Sequence, residues 1–290
     1  MINKIDGTGV ALVTPFNLDF SIDFISLSKL INYVIDGGVD FLVILGTTGE
    51  SPSISIKEKQ DIINFTVKVN DKRLPIVVGI GGNNTLNVEN EFKILDLNGI
   101  DAILSVTPYY NKPSQLGLYL HFKRLSEVSS LPIILYNVPS RTGVNLDAST
   151  CLRLANEFEN IIAIKEASGN LNQIDEIINN MPSGFSVLSG DDALTVKMIF
   201  MGAIGVISVI GQSHPKEFSS MVSSALNNDE SQALKIHKDL EKFYHFLYSE
   251  GNPSGIKALL SYFGLCNNIL RLPLTNISNK LHTSLKLILK

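Results

Sequence analysis

Short, nearly continuous runs of branched aliphatic residues alternate along most of the chain with stretches whose apolar positions fall three and four apart. The runs lie at 10–14, 41–45, 76–79, 102–106, 133–136, 161–165, 186–188 and 206–209. Strands covered on both faces read as unbroken apolar runs, whereas half-solvated strands alternate, so a parallel sheet is predicted. Phe24, Leu27, Leu30, Ile31, Val34 and Ile35 trace one face of a helix that ends at Gly37-Gly38, a C-cap pattern. Ser55 and Asp191 are candidate N-caps of later helices. Eight strand–helix units in one chain favour closure into an α/β (β/α)8 TIM barrel over an open doubly wound sheet. From Pro215 onward the pattern is helical without strands and is broken at Gly251-Asn252-Pro253. The expected organisation is a catalytic barrel over 1–214 with a C-terminal helical extension over 215–290.

Bulk properties narrow the class. The 290 residues are 44% hydrophobic and 18% charged, enough for a large core and unlike a disordered chain. The net charge of −4, with Lys and Arg scattered, makes nucleic acid a poor partner. The first residues are too polar and too soon interrupted for a signal peptide, and no apolar stretch approaches the roughly 20 residues of a spanning helix. Cys151 and Cys266 match no metal or redox spacing. A cytoplasmic protein without a membrane segment is expected.

Barrels of this kind carry their chemistry at the C-terminal ends of the strands. Those ends hold Thr14-Pro15, Gly46-Thr47-Thr48-Gly49-Glu50, Thr107-Pro108-Tyr109-Tyr110, Tyr136-Asn137, Lys165-Glu166 and Gly190-Asp191. Lys165 closes the run Ile161-Ile162-Ala163-Ile164, which would project an amine among aliphatic stems at the barrel mouth. An amine freed of its proton by desolvation attacks ketones; the alternative role for this lysine is a structural ion pair with Glu166 or another carboxylate. Tyr136, one strand earlier, is placed to move protons, or else is a core tyrosine bonded to a carbonyl. Arg141 offers a fork of donors suited to a carboxylate, or is a surface arginine. Other chemistries lack their signatures. Gly79-Ile80-Gly81-Gly82 lacks the third glycine of a dinucleotide loop, none of the five histidines falls in a zinc-binding pair, and Ser213-His214 has no nucleophile-elbow frame.

Several motifs in one order, Gly46-Thr47-Thr48-Gly49-Glu50, Val106 to Asn111 (VTPYYN), Tyr136 to Gly143 (YNVPSRTG), Ile164 to Ser168 (IKEAS), Ser189 to Asp192 (SGDD) and Arg271-Leu272-Pro273-Leu274, resemble the dihydrodipicolinate synthase family over nearly the whole chain. Its wider kin include N-acetylneuraminate lyase and keto-deoxy sugar acid aldolases, which share the barrel and the lysine. The resemblance implies a lyase that condenses pyruvate with L-aspartate 4-semialdehyde through a Schiff base, with no metal or organic cofactor. Lys165 would form the imine, and Tyr136 would donate and accept protons, linked through Thr48 to a Tyr110 reaching in from a neighbouring subunit. Thr47 and Thr48 would hold the pyruvate carboxylate, Arg141 would guide the semialdehyde carboxylate, and backbone groups at Gly190 and Ile207 would line the pocket. A homotetramer built as a dimer of dimers is implied too. Val138-Pro139-Ser140-Arg141-Thr142-Gly143 favours the semialdehyde over a sugar acid. Lys59 departs from the histidine or glutamate of lysine-inhibited members. Its cation implies weak feedback by lysine, although Asn83 and Tyr109 of that effector site are present. The rival readings are a pyruvate-releasing sugar acid aldolase and a catalytically silent barrel that binds a small carboxylate.

Overall fold

The computed structural model describes residues 5–289; the first residues of the segment judged too polar for a signal peptide lie outside them. Eight parallel strands close into a barrel in sequential order: β1 (Gly7–Ala11), β2 (Phe41–Ile44), β3 (Ile76–Gly79), β4 (Ala102–Val106), β5 (Ile133–Asn137), β6 (Ile161–Glu166), β7 (Ser186–Ser189) and β8 (Gly205–Ser208). The crossovers are α1 (Phe24–Asp36), α2 (Ile56–Asn70), α3 (Thr85–Ile94), α4 (Gln115–Val128), the single turn α5 (Pro139–Thr142) with α6 (Ala148–Glu157), α7 (Leu171–Asn180) and α8 (Thr195–Met201). Then follow α9 (Pro215–Leu226), α10 (Glu230–Ser249), α11 (Ser254–Tyr262) and α12 (Asn279–Ile288).

Two apolar layers hold this arrangement. One lies between the strands and the helices, where Leu27, Leu30, Ile31 and Val34 of α1 meet outward residues such as Leu42 and Ile44 of β2. The other fills the barrel interior with Phe41, Val43, Val77, Leu104, Ile134, Ala163, Leu188 and Ile207. Both faces of each strand are therefore dry, which is why the strand sequences do not alternate.

Three expectations shift. The first strand begins at Gly7 rather than Val10. Gly9 carries no side chain because Phe41 fills the barrel there: a Cβ would come within 2.1 Å of the ring. Gly205, paired with Gly7, would press a Cβ to 2.1 Å from the Gly7 carbonyl oxygen. These glycines lie at the N-terminal end of the barrel, where two backbones and one large ring must fit. Second, Pro215 does not open an appendage. α9 follows β8 and packs on β1, β8, α1 and α8, so it is the eighth barrel helix, and the extension proper starts at α10. Third, Ser55 caps α2 with a reciprocal Ser55–Glu58 capping box, but Asp191 does not cap α8. Asp191 accepts from the N–H of Ala193 and stabilises the turn before that helix, whose N-cap is Leu194. No helix among the described residues is long and apolar enough to cross a membrane.

Candidate active site

The C-terminal mouth of the barrel opens into a cavity of about 590 Å³. Its floor comes from strand ends. Tyr136 of β5 and Lys165 of β6 are direct neighbours in the strand register, so both side chains enter from the same level. Lys165 is 6% exposed and its Nζ lies 4.4 Å from the centre of the Tyr136 ring. The next pair in the register, Asn137 and Glu166, points the other way. The buried Glu166 carboxylate accepts from Asn137 Nδ2 (3.1 and 3.2 Å), Gln173 Nε2 (3.0 Å) and the Ser168 N–H (2.7 Å). The two-residue period of a strand thus separates Lys165 from its sequence neighbour. The structural pairing with Glu166 is not formed, and Lys165 makes no ion pair among the described residues.

Thr47 and Thr48 reach the cavity from the loop after β2. That loop is bracketed by two non-glycine residues in the left-handed region, Leu45 (φ 57°) and Glu50 (φ 55°), a costly geometry that its surroundings must hold. Thr14 Oγ1 donates to the Gly49 carbonyl at 2.7 Å, and Glu50 is clamped by a buried ion pair with Lys257, Nζ to Oε1 2.5 Å. Gly190 after β7 lies against the lysine stem: a Cβ there would sit 3.0 Å from Lys165 Cε. Arg141, exposed on α5, lines the rim together with Ser140 and Asp191.

Lys165, Tyr136, Thr47, Thr48, Arg141 and Gly190 are therefore brought together. Ile207 and Tyr110 are not. Ile207, 1% exposed, belongs to the interior packing of the barrel, and Val209 lines the cavity in its stead. Tyr110 is 87% exposed, adopts φ 74°, and does not line the cavity of its own chain.

One wall was missed by the sequence reading. Tyr244, His245 and Tyr248 of α10, with Asn252 beyond it, close the cavity from the C-terminal extension. Desolvation, then the charges of Asp192 and Asp191, holds the phenol of the buried Tyr244 above its ordinary range. Asp192 is fully buried, accepts from the N–H groups of Val209 and Ile210, and is pushed up to about 6 because desolvation outweighs those bonds. The one available signal for this wall was the helix-breaking Gly251-Asn252-Pro253.

The profile of the dihydrodipicolinate synthetase family matches residues 4–290. The chain belongs to that family. The 4-hydroxy-tetrahydrodipicolinate synthase of Azobacteroides pseudotrichonymphae is 52% identical over 97% of this chain and 95% of its own. That of Parabacteroides distasonis is 51% identical over 93% and 91%. Among solved structures, a chloride-inhibited dihydrodipicolinate synthase from Acinetobacter baumannii, complexed with pyruvate, superposes with a TM-score of 0.96 at 39% identity, covering 99% of this chain and 98% of that one.

Proposed function

We propose that this cavity condenses pyruvate with L-aspartate 4-semialdehyde, through an imine on Lys165, to give 4-hydroxy-tetrahydrodipicolinate. The observation that carries the proposal is the placement of Lys165. Its amine is enclosed at the floor of the cavity, beside a phenol and free of any carboxylate partner among the described residues. The amine attacks the ketone carbon of pyruvate and the carbinolamine loses water, with Tyr136 as proton donor and acceptor. The resulting imine draws electrons from the methyl group, which loses a proton to give an enamine. The enamine carbon attacks the aldehyde, and the amino group of the second substrate then adds to the imine carbon. Closure of the ring breaks the bond to Lys165 and frees the amine. Thr47 and Thr48 receive the pyruvate carboxylate. Arg141, a planar fork at the rim, receives the carboxylate of the semialdehyde. Gly190 completes the pocket wall in this reading, with Ile207 packed in the barrel interior.

Tyr110 enters the same reading as a residue given to a neighbouring subunit. An aromatic ring this exposed, carried on a left-handed backbone beside the mouth, suits a tetramer formed from tight dimers, in which a proton relay from Tyr136 runs through Thr48 to the partner's Tyr110. A cytoplasmic setting suits Cys151 and Cys266, both buried free thiols.

The test is borohydride reduction in the presence of pyruvate, followed by peptide mapping. A pyruvate-sized adduct on Lys165, lost in Lys165→Ala, is expected. A folded protein that gives no adduct overturns the mechanism and favours the silent barrel. An adduct without turnover of the semialdehyde moves the assignment to a sugar acid aldolase.

A further inference from the structure

Asn252 stands in the turn between α10 and α11 and is 7% exposed. Its Nδ2 donates to Thr48 Oγ1 at 2.9 Å, while its main-chain carbonyl accepts from Arg141 Nη2 at 3.3 Å. A single residue of the extension therefore ties the loop after β2 to the turn after β5 across the mouth of the barrel. The Thr48 loop is also fixed at its far end. Lys257 of α11 holds Glu50, whose Oε2 accepts from the Arg271 N–H, and the Arg271 guanidinium donates to the Ser53 carbonyl and to Glu58. Loop and extension thus form one rigid unit, in which a hydrogen bond from residue 252 has a fixed direction.

That direction has a chemical consequence. A threonine hydroxyl has one proton and two lone pairs. When an N–H occupies a lone pair, the proton is left for another acceptor. Asn252 Oδ1 is buried without a donor, so the bond from Nδ2 to Thr48 is the amide's one side-chain hydrogen bond among the described residues. We propose that Asn252 is a positioning residue that sets the polarity of the Thr48 hydroxyl, turning its proton into the cavity toward a substrate carboxylate or a phenolate. The proposal rests on the imine-forming reading of the site. It assigns to the extension a part in the chemistry beyond roofing the pocket. The carbonyl contact with Arg141 is main-chain, so a change of the side chain at 252 leaves that contact in place.

Asn252→Asp, nearly isosteric, replaces the donor by an acceptor and reverses the Thr48 hydroxyl. The expected result is a fall in kcat of about tenfold or more, with KM for the semialdehyde within about twofold of the unsubstituted enzyme, which a general loosening of the mouth would not give. In a Thr48→Val background the same substitution should lower kcat by less than about twofold, because the group it acts through is gone. Asn252→Ala, which removes the donor without burying a carboxylate, is measured beside it to separate lost orientation from misfolding. Borohydride trapping of pyruvate on Lys165 in each variant reports a folded, imine-competent site. Unchanged kcat in both Asn252 variants, an equal fall in the Thr48→Val background, or KM for the semialdehyde rising in step with the loss of kcat would overturn the proposal. Absence of an adduct in the unsubstituted enzyme would instead remove the imine reading itself, so the two failures are told apart.

Discussion

Replacing Lys257 by methionine removes the counter-charge of a carboxylate that has no access to water. Lys257 and Glu50 are both 0% exposed in their side chains, with Nζ 2.5 Å from Oε1 and also donating to the Ile269 carbonyl at 2.8 Å. Desolvation lowers the pKa of Lys257, and the charge and hydrogen bond of Glu50 act against that shift. Breaking a buried pair from one side costs about 3–5 kcal/mol, because the surviving charge stays in a low-dielectric site. Among the described residues Glu50 would keep only the Arg271 N–H at 3.0 Å, one neutral donor for a full charge. With an unfolding entropy of roughly 2.1 cal/mol/K per residue, a chain of 290 residues changes stability by about 0.6 kcal/mol per degree near its midpoint. The expected fall in Tm is therefore about 5–8 °C, read by calorimetry at fixed protein concentration. Lys257→Met with Glu50→Gln should recover most of the loss, since no charge is then stranded. A drop below about 2 °C, or a double variant no better than the single one, would refute this account of the pair.

Gly190→Ala places a Cβ 2.7 Å from Ala167 Cβ, 3.0 Å from Lys165 Cε and 3.2 Å from the Glu166 carbonyl oxygen, so the end of β6 that carries the lysine must shift; kcat should fall about 10–100-fold, as small misplacements of reacting groups do, and Tm by about 2–5 °C, for an overpacking cost of about 1–3 kcal/mol. Near-normal turnover in that variant would show that the lysine stem is not confined. Asp192, raised to about 6 from 3.8, keeps its proton in the folded state where the unfolded chain has lost it, so its contribution to stability is full below about pH 4 and lost as pH rises through about 6. Asp192→Asn should thus gain on the unsubstituted protein by up to about 3 kcal/mol between pH 4 and pH 7 in urea unfolding, and a pH-independent difference would contradict it. Lys59 donates to Glu91 at 2.5 Å, which occupies the carboxylate nearest that cation and leaves it unavailable to an incoming ammonium. Steady-state assays should show no inhibition by sub-millimolar lysine, and clear inhibition there would dismiss the expectation of weak feedback.

The strand runs, the barrel and most of the floor of the site were legible because they depend on local pattern. Doubly covered strands must be apolar throughout, and residues at the ends of consecutive strands meet automatically once the barrel closes. Tyr136 and Lys165 could therefore be placed side by side from sequence position alone. The lysine's partner could not. The choice between Glu166 and the cavity is made by the alternation of the strand, together with the amides of Asn137 and Gln173 that receive the carboxylate behind the barrel wall.

What lay beyond the sequence has a common physical cause, contact between segments far apart in the chain. Gly9 and Gly205 fall just outside the apolar runs, and only Phe41 and Gly7 packed against them show why no side chain stands there. Pro215 read as the start of an appendage because an eighth helix differs from any other only in touching β1 at the opposite end of the chain. Asn252 lies 204 positions from Thr48 and 111 from Arg141, and no periodicity carries across such distances. The sequence by itself determined the barrel, its lysine and its tyrosine, since these follow from burial patterns within a few turns or strands. Only the tertiary structure decided which wall closes the cavity and which groups hold its hydroxyls in direction, because hydrogen bonds between distant loops are set by how the whole chain packs.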